Sequence, residues 1–324
     1  MNKQNEWVFL YGGQGSQLAG MGLDFARAFP EESYYSNCYC SEEELDYLLD
    51  PAFDRLNETR YVQLALTVFS LTITKVLQKT GIEADAALGL SAGEFPALAL
   101  AGVYSEEAVL NIIRQRANLM ARRMKQRRQD GFDDGMLAVL GLEEAELQEQ
   151  LQNYPDLSLA NKNSETQMAV SGSISELELL MQDVLEAGAK RAVFLEVEGA
   201  YHSKVFTADV PELRAALLQE EAEEAQIDLA LNILGKAARP LRRDGERREV
   251  YADLMSRQMS NPTRLDDCFT YLLDRGYRNF IEIAPKAVLT PLLRRRDRSL
   301  NLNHIGDMES FEKFLSHSLA KTRR

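Results

Sequence analysis

Gly89-Leu90-Ser91-Ala92-Gly93 is a Gly-x-Ser-x-Gly run set between a short apolar stretch, Ala86-Ala87-Leu88, and an Ala/Leu-rich segment that starts at Glu94. Strand, tight turn and helix in that order make a nucleophile elbow, in which glycines admit the sharp backbone and the close packing of helix on strand. Ser91 would stand at the tip, with the positive end of the following helix behind it to stabilise developing negative charge. A serine hydroxyl is barely ionised at neutral pH and needs a base. The chain has three histidines, His202, His304 and His317. The last two lie in a polar C-terminal stretch. His202 sits in Gly199-Ala200-Tyr201-His202-Ser203, among small residues and one aromatic, and is the favoured partner of Ser91.

A second turn, Gly12-Gly13-Gln14-Gly15-Ser16-Gln17, directly follows the apolar run Trp7–Tyr11. A strand feeding such a turn places it at the carboxyl end of a sheet, where α/β folds bind ligands. It lacks the Lys-Ser/Thr ending of a phosphate loop and breaks the Gly-x-Gly-x-x-Gly dinucleotide pattern. It is either a plain turn or a loop that presents backbone N–H groups to an oxyanion. Cys38, Cys40 and Cys268 lack metal-ligand spacing, so no metal site is expected.

The elements that must carry these residues read as an α/β protein. At 324 residues the chain has room for a large core, and 45% hydrophobic with 27% charged residues is ordinary for a globular enzyme. A net charge of −13 argues against a nucleic-acid partner. No run of about 18 apolar residues offers a membrane span, and Met1–Glu6 lacks the apolar core of a signal peptide, so the expected location is cytoplasmic. Residues 31–58 read as irregular and Tyr61–Thr80 as a long buried helix. Ser105 with Glu106 and Glu107 starts another helix, which runs through Arg116 into the basic segment Arg122–Arg128. Beyond the linker Gln129–Gly135, the segments Met136–Leu142, Glu143–Gln152, Leu157–Ala160, Gln167–Ser171, Ile174–Ala187 and Ala192–Val197 read βαββαβ, the ferredoxin-like order. Arg239–Arg248 reads as a charged hairpin or loop. The expectation is an α/β-hydrolase-like core with a parallel sheet over residues 1–129 and 200–324, and an inserted ferredoxin-like subdomain over 130–199.

With these residues in view, the chain resembles the malonyl-CoA:acyl-carrier-protein transacylase family, including stand-alone polyketide synthase acyltransferases. The markers occur in order along nearly the whole chain: Gly13–Gln17, Gly89–Glu94, Arg116 within Gln115–Met120, Asn161–Ser164, Gly199–Ser203, Gln258 with Asn261-Pro262, and Glu282–Pro285. The resemblance implies a ping-pong reaction in which Ser91, with His202 as base, takes the acyl group from an acyl-CoA. The phosphopantetheine thiol of an acyl carrier protein then receives it. It implies backbone oxyanion donors at Gln14 and Ala92, and a His202 oriented by the main-chain carbonyl of Gln258. Arg116 would take the free carboxylate of malonyl bidentately. Tyr201 would crowd a C2 methyl and favour malonyl over methylmalonyl. Leu90 stands where the family often has His, and belongs with Tyr201 among the residues that set acyl choice.

No bound cofactor is implied; malonyl-CoA is substrate and phosphopantetheine belongs to the partner. A monomer is the default. Two other readings use the same residues. An acyl hydrolase would let water clear the acyl-Ser91, but Arg116 speaks against it, because such an enzyme gains nothing by selecting a carboxylated acyl group. A non-catalytic carrier-docking module has no need of both Ser91 and His202. Carrier proteins are acidic, so two basic clusters, Arg122–Arg128 and Arg294–Arg298, are candidates for steering one.

Overall fold

Trp7-Val8-Phe9-Leu10-Tyr11 is an unbroken apolar run, and it forms a strand whose last four residues are wholly buried. Such a run suits a parallel sheet covered on both faces. The computed structural model describes residues 6–238 and 244–322. Its strands are β1 (Trp7–Tyr11), β2 (Ala86–Gly89), β3 (Asp134–Leu140), β4 (Ser158–Ser164), β5 (Gln167–Ser173), β6 (Arg191–Phe194), β7 (Asp228–Leu231), β8 (Lys236–Ala237), β9 (Asn279–Ile283) and β10 (Asn301–Ile305). The protein is mixed α/β, with one parallel and one antiparallel sheet.

Two compact units divide the chain. The first comprises Met1–Arg114, Glu223–Ala230 and Leu272–Arg324, the second Gln115–Ala222 and Leu231–Tyr271. The second is therefore larger than the segment 130–199, because the helices Val210–Leu217 and Asp244–Arg257 belong to it as well.

In the first unit, strands run in the order β10-β9-β1-β2-β7, each parallel to its neighbour. The chain leaves β1 toward β2 on one side and returns as β9 on the other, so the carboxyl end of β1 is a topological switch point, where open α/β sheets leave a crevice. The helix Thr59–Lys79 has the length and composition to cross a membrane, yet 83% of its most apolar stretch is buried in the protein. Its Thr74 Oγ1 lies 2.8 Å from the Tyr11 hydroxyl, tying helix to central strand. Residues 31–58 are not wholly irregular as expected: Glu42–Leu48 is helical, started by a reciprocal capping box between Ser41 and Glu44. At the other side of the sheet Glu282, fully buried in β9, accepts hydrogen bonds from the backbone N–H groups of Val288, Leu289 and Thr290 and from Thr290 Oγ1. One carboxylate thereby satisfies the orphan donors at the start of helix Leu289–Arg296.

In the second unit the antiparallel strands lie in the order β4-β5-β3-β6. Helix Glu144–Leu151 follows β3 and helix Ile174–Glu186 follows β5. Leu137 and Val139 of β3, two apart and so on one face, pack with Val170, Leu147, Leu177 and Leu180 as a separate core. Residues 239–243 of the expected charged hairpin or loop lie outside the described residues. From Asp244 the chain is helical to Arg257 instead. Glu246, Arg247, Arg248 and Glu249 are good helix formers, and they extend toward the amino end a helix that is anchored by its buried Tyr251, Ala252 and Met255.

Candidate active site

In the first unit, β2 ends at Gly89 and a single 3₁₀ turn, Ser91–Gly93, leads into helix Glu94–Leu100. Pro96 falls in the first turn of that helix, where its missing N–H costs nothing. A Cβ on Gly89 would lie 2.0 Å from the Gly93 carbonyl carbon and oxygen, so only glycine lets the strand pass so close to the turn it feeds. Ser91 takes the left-handed conformation, with φ +52°. The amide of Leu90 donates to the Tyr11 carbonyl at 2.9 Å, and that of Gly93 to the Leu90 carbonyl at 2.9 Å, which closes the turn. Leu90 is half-buried and Ala92 buried.

The turn after β1 lies against this elbow. A Cβ on Gly13 would come within 2.4 Å of the Leu90 carbonyl oxygen. Ser16, fully buried, donates its hydroxyl to the Gly13 carbonyl at 2.7 Å, and its own carbonyl accepts from the Lys286 amide at 3.0 Å. Gln14 stands half-buried on this turn, and its Oε1 accepts from Thr59 Oγ1 at 3.3 Å. Leu90, Ser91, Ala92 and Gln14 are thus brought to one end of the parallel sheet.

The second unit assembles the other expected residues. His202 is buried and also left-handed, with φ +53°. Its backbone is pinned on either side. The Tyr201 carbonyl accepts from Ser171 Oγ at 2.5 Å, and Ser203 Oγ donates to the Ala200 carbonyl at 2.6 Å. Tyr201 is buried, with its ring stacked on Phe206. His202 Nδ1 lies 2.9 Å from the Gln258 main-chain oxygen. A carbonyl can only accept, so Nδ1 carries the proton and Nε2 presents its lone pair. Burial first, and then the Arg116 guanidinium, push the imidazole down to about 4, against hydrogen bonds with the backbone of Gln258 and Asn261 that favour its charged form. At neutral pH it is an uncharged base.

Arg116, fully buried in helix Glu106–Gln129, donates through Nη2 to Gln258 Oε1 at 2.8 Å. Gln258 opens a 3₁₀ turn, Gln258–Ser260, and the segment after it is stitched to β4. The Thr263 amide donates to the Ala160 carbonyl, the Lys162 amide to the Thr263 carbonyl (both 2.9 Å), and Asn161 Nδ2 to Thr263 Oγ1 at 2.6 Å. Thr263 was not singled out from the sequence. The only hint was that Asn161 and Pro262 both lie in marker stretches.

The two basic clusters have different settings. In the first, Arg122 pairs with Glu212, Arg123 with Asp209, Arg127 with Asp134 and Arg128 with Glu198. The second closes helix Leu289–Arg296, which leaves the carboxyl end of β9 and delivers the chain to the amino end of β10. Arg294, Arg295, Arg296 and Arg298 are exposed there, at the end of the sheet opposite the elbow. Among the described residues no group of three or more His, Cys, Asp or Glu side chains is placed to hold a metal ion.

The model of the acyl transferase domain family matches residues 8–311. The chain is similar to the polyketide biosynthesis protein ThaF of Burkholderia thailandensis, 31% identical over 291 residues, which make up 89% of this chain and 24% of that protein. It thus spans about a quarter of ThaF's length. It is similar over nearly full length to the polyketide biosynthesis malonyl CoA-acyl carrier protein transacylase BaeC of Bacillus velezensis, 30% identical over 293 residues, 89% of this chain and 96% of that one. Among solved structures, PlMCAT:AntF, a type II PKS acyl-carrier protein in complex with its malonyl-transacylase, matches with a TM-score of 0.85 at 26% identity, over 97% of this chain and 100% of that one.

Proposed function

The chain belongs to the acyl transferase domain family, and on that footing we propose that it moves a malonyl group from malonyl-CoA to the phosphopantetheine thiol of an acyl carrier protein. His202 Nε2 takes the Ser91 hydroxyl proton as Oγ attacks the thioester carbonyl. The C–S bond breaks, the proton goes to the CoA thiolate, and malonyl-Ser91 remains. The carrier thiol then gives its proton to His202, attacks the ester, and Ser91 Oγ leaves with that proton. Backbone N–H groups of Gln14 and Ala92 hold the oxyanion, and Arg116 holds the malonyl carboxylate. Tyr201 and Leu90 shape the room around the acyl group.

One observation carries this reading. Arg116, a buried guanidinium, and His202, an imidazole fixed as an uncharged base, are hydrogen-bonded to the same residue, Gln258. An anion receptor held with a base suits transfer of a carboxylated acyl group better than hydrolysis of any acyl group.

The same reading takes the parallel sheet with its elbow as an α/β-hydrolase-like core. The βαββαβ segment 130–199 is read as a ferredoxin-like subdomain, supported by the strand order β4-β5-β3-β6. We place the enzyme in the cytoplasm, as a monomer that works without a bound cofactor. Mixing the protein with labelled malonyl-CoA and a holo carrier protein tests the proposal. Label on Ser91 that passes to the carrier supports transfer, release as free malonate supports the hydrolase, and absence of label on the wild type rejects both.

A further inference from the structure

Gln258 contributes two different atoms to two different partners. Its backbone oxygen receives His202 Nδ1 at 2.9 Å and, more weakly, the Asn261 amide at 3.4 Å. Its side-chain oxygen receives Arg116 Nη2 at 2.8 Å. Both Gln258 and Arg116 are 1% exposed, so this is a hydrogen bond between buried groups, one of them charged. Arg116 and Gln258 lie 142 residues apart in the chain, and His202 and Gln258 lie 56 apart.

The chemical type of the acceptor matters more than its presence. A carboxylate opposite a buried guanidinium forms a closed, charge-neutral pair, and such a pair has little left to offer an incoming anion. An amide oxygen is an acceptor without net charge. It uses one of the five N–H donors of the guanidinium, fixes the plane of the fork, and brings no negative charge of its own opposite it. The backbone oxygen is indifferent to this choice, since every residue has one.

We propose that the Gln258 side chain is a positioning residue for acyl selection: as a neutral acceptor it sets Arg116 in the orientation that receives the substrate carboxylate without neutralising it. Base alignment is a separate task, carried by the backbone carbonyl of the same residue. Acyl selection and base alignment are therefore separable at one position by changing the side chain alone. This rests on the malonyl-transfer reading above.

The test compares wild type, Gln258→Met and Gln258→Glu, each checked by thermal unfolding, for the rate of acyl-enzyme formation from malonyl-CoA and from acetyl-CoA. Met keeps the length and removes Oε1; Glu keeps the shape and adds a negative charge. A hydrogen bond to a charged group corresponds to roughly a tenfold or greater effect. The expected result is that the malonyl:acetyl ratio of kcat/KM falls at least about tenfold in Gln258→Met and further in Gln258→Glu, mainly through KM for malonyl-CoA. A merely structural role would lower both substrates in proportion. If the ratio stays within about threefold of wild type in whichever variant folds, the proposal is overturned. Failure of the wild type itself to form a malonyl adduct would instead reject the underlying reading, so the two failures are distinguishable.

Discussion

Ser91 and His202 share a backbone conformation: φ is +52° at one and +53° at the other, and no other non-glycine among the described residues has positive φ. A left-handed L-residue costs about 1–2 kcal/mol, and such costs concentrate where surrounding structure over-determines a functional geometry. At Ser91 the hydrogen bonds of Leu90 and Gly93 hold the turn; at His202 those of Tyr201 and Ser203 do.

Replacing Ser91 with glycine removes that strain and adds the greater unfolded-state entropy of glycine, about 0.5–1 kcal/mol. Ser91→Gly should therefore be more stable than wild type, by up to about 1.5 kcal/mol, while forming no acyl adduct. Denaturant unfolding and intact-mass measurement check the two halves. A variant less stable than wild type would show that the serine side chain stabilises the turn by more than its backbone costs.

The depressed imidazole sets the acid limb. An unfolded histidine takes up a proton as pH falls through about 6.5, whereas folded His202 does so only near about 4. Between those values the unfolded chain binds more protons. This group's contribution to stability is therefore complete above 6.5 and is lost progressively as pH falls toward 4. For activity, kcat/KM for malonyl-CoA should stay flat through pH 6.5 and fall only below about pH 5. Half-loss of kcat/KM at pH 6–7 would contradict the assignment.

Arg116→Met should lower kcat/KM for malonyl-CoA by about 10- to 100-fold, the range for a lost charged hydrogen bond. It should leave acetyl-CoA far less affected. The same change removes the positive charge that helps hold His202 down, so the acid limb should move to higher pH. A pH–rate series on the variant reads both effects; equal losses for the two substrates would place Arg116 outside acyl recognition.

Gly89→Ala drives a methyl into the Gly93 carbonyl group, with 2.0 Å between atoms that need well over 3 Å. Backbone, not a flexible side chain, must move. A loss of roughly 2–3 kcal/mol is expected, in the range of overpacked sites. Thermal unfolding measures it, and an unchanged midpoint would mean that the elbow relaxes more freely than its hydrogen bonds suggest.

Much of the fold was legible because it rests on local pattern. Trp7–Tyr11 reads as a buried strand from five apolar residues alone, and Ile174–Ala187 as a helix from its spacing. What failed was local as well. Glu42–Leu48 was passed over although Ser41 and Glu44 spell a capping box, because the surrounding composition is polar. The first residues of the helix from Asp244, up to Arg248, are charged or glycine and were read as a loop. At the candidate site, residue types pointed to Ser91 and His202, and the resemblance to Arg116 and Gln258. No spacing could reveal that Gln258 receives Arg116 on its side chain and His202 on its backbone. The pairing of Arg122, Arg123, Arg127 and Arg128 was equally hidden, since three of their four carboxylate partners lie about 70 to 90 residues away.

β1 is paired on one side by β2 and on the other by β9, which begins about 270 residues later in the chain. A ribosome adding about 5–20 residues per second takes about 14–54 s to cover that distance. Throughout that interval the most apolar strand of the parallel sheet has one hydrogen-bonding edge with no native strand to fill it, the condition that invites mispairing with other chains. The order of synthesis thus leaves the nascent first unit with an open strand edge until residue 283 has been added, with slow, long-range strand closure as its last step.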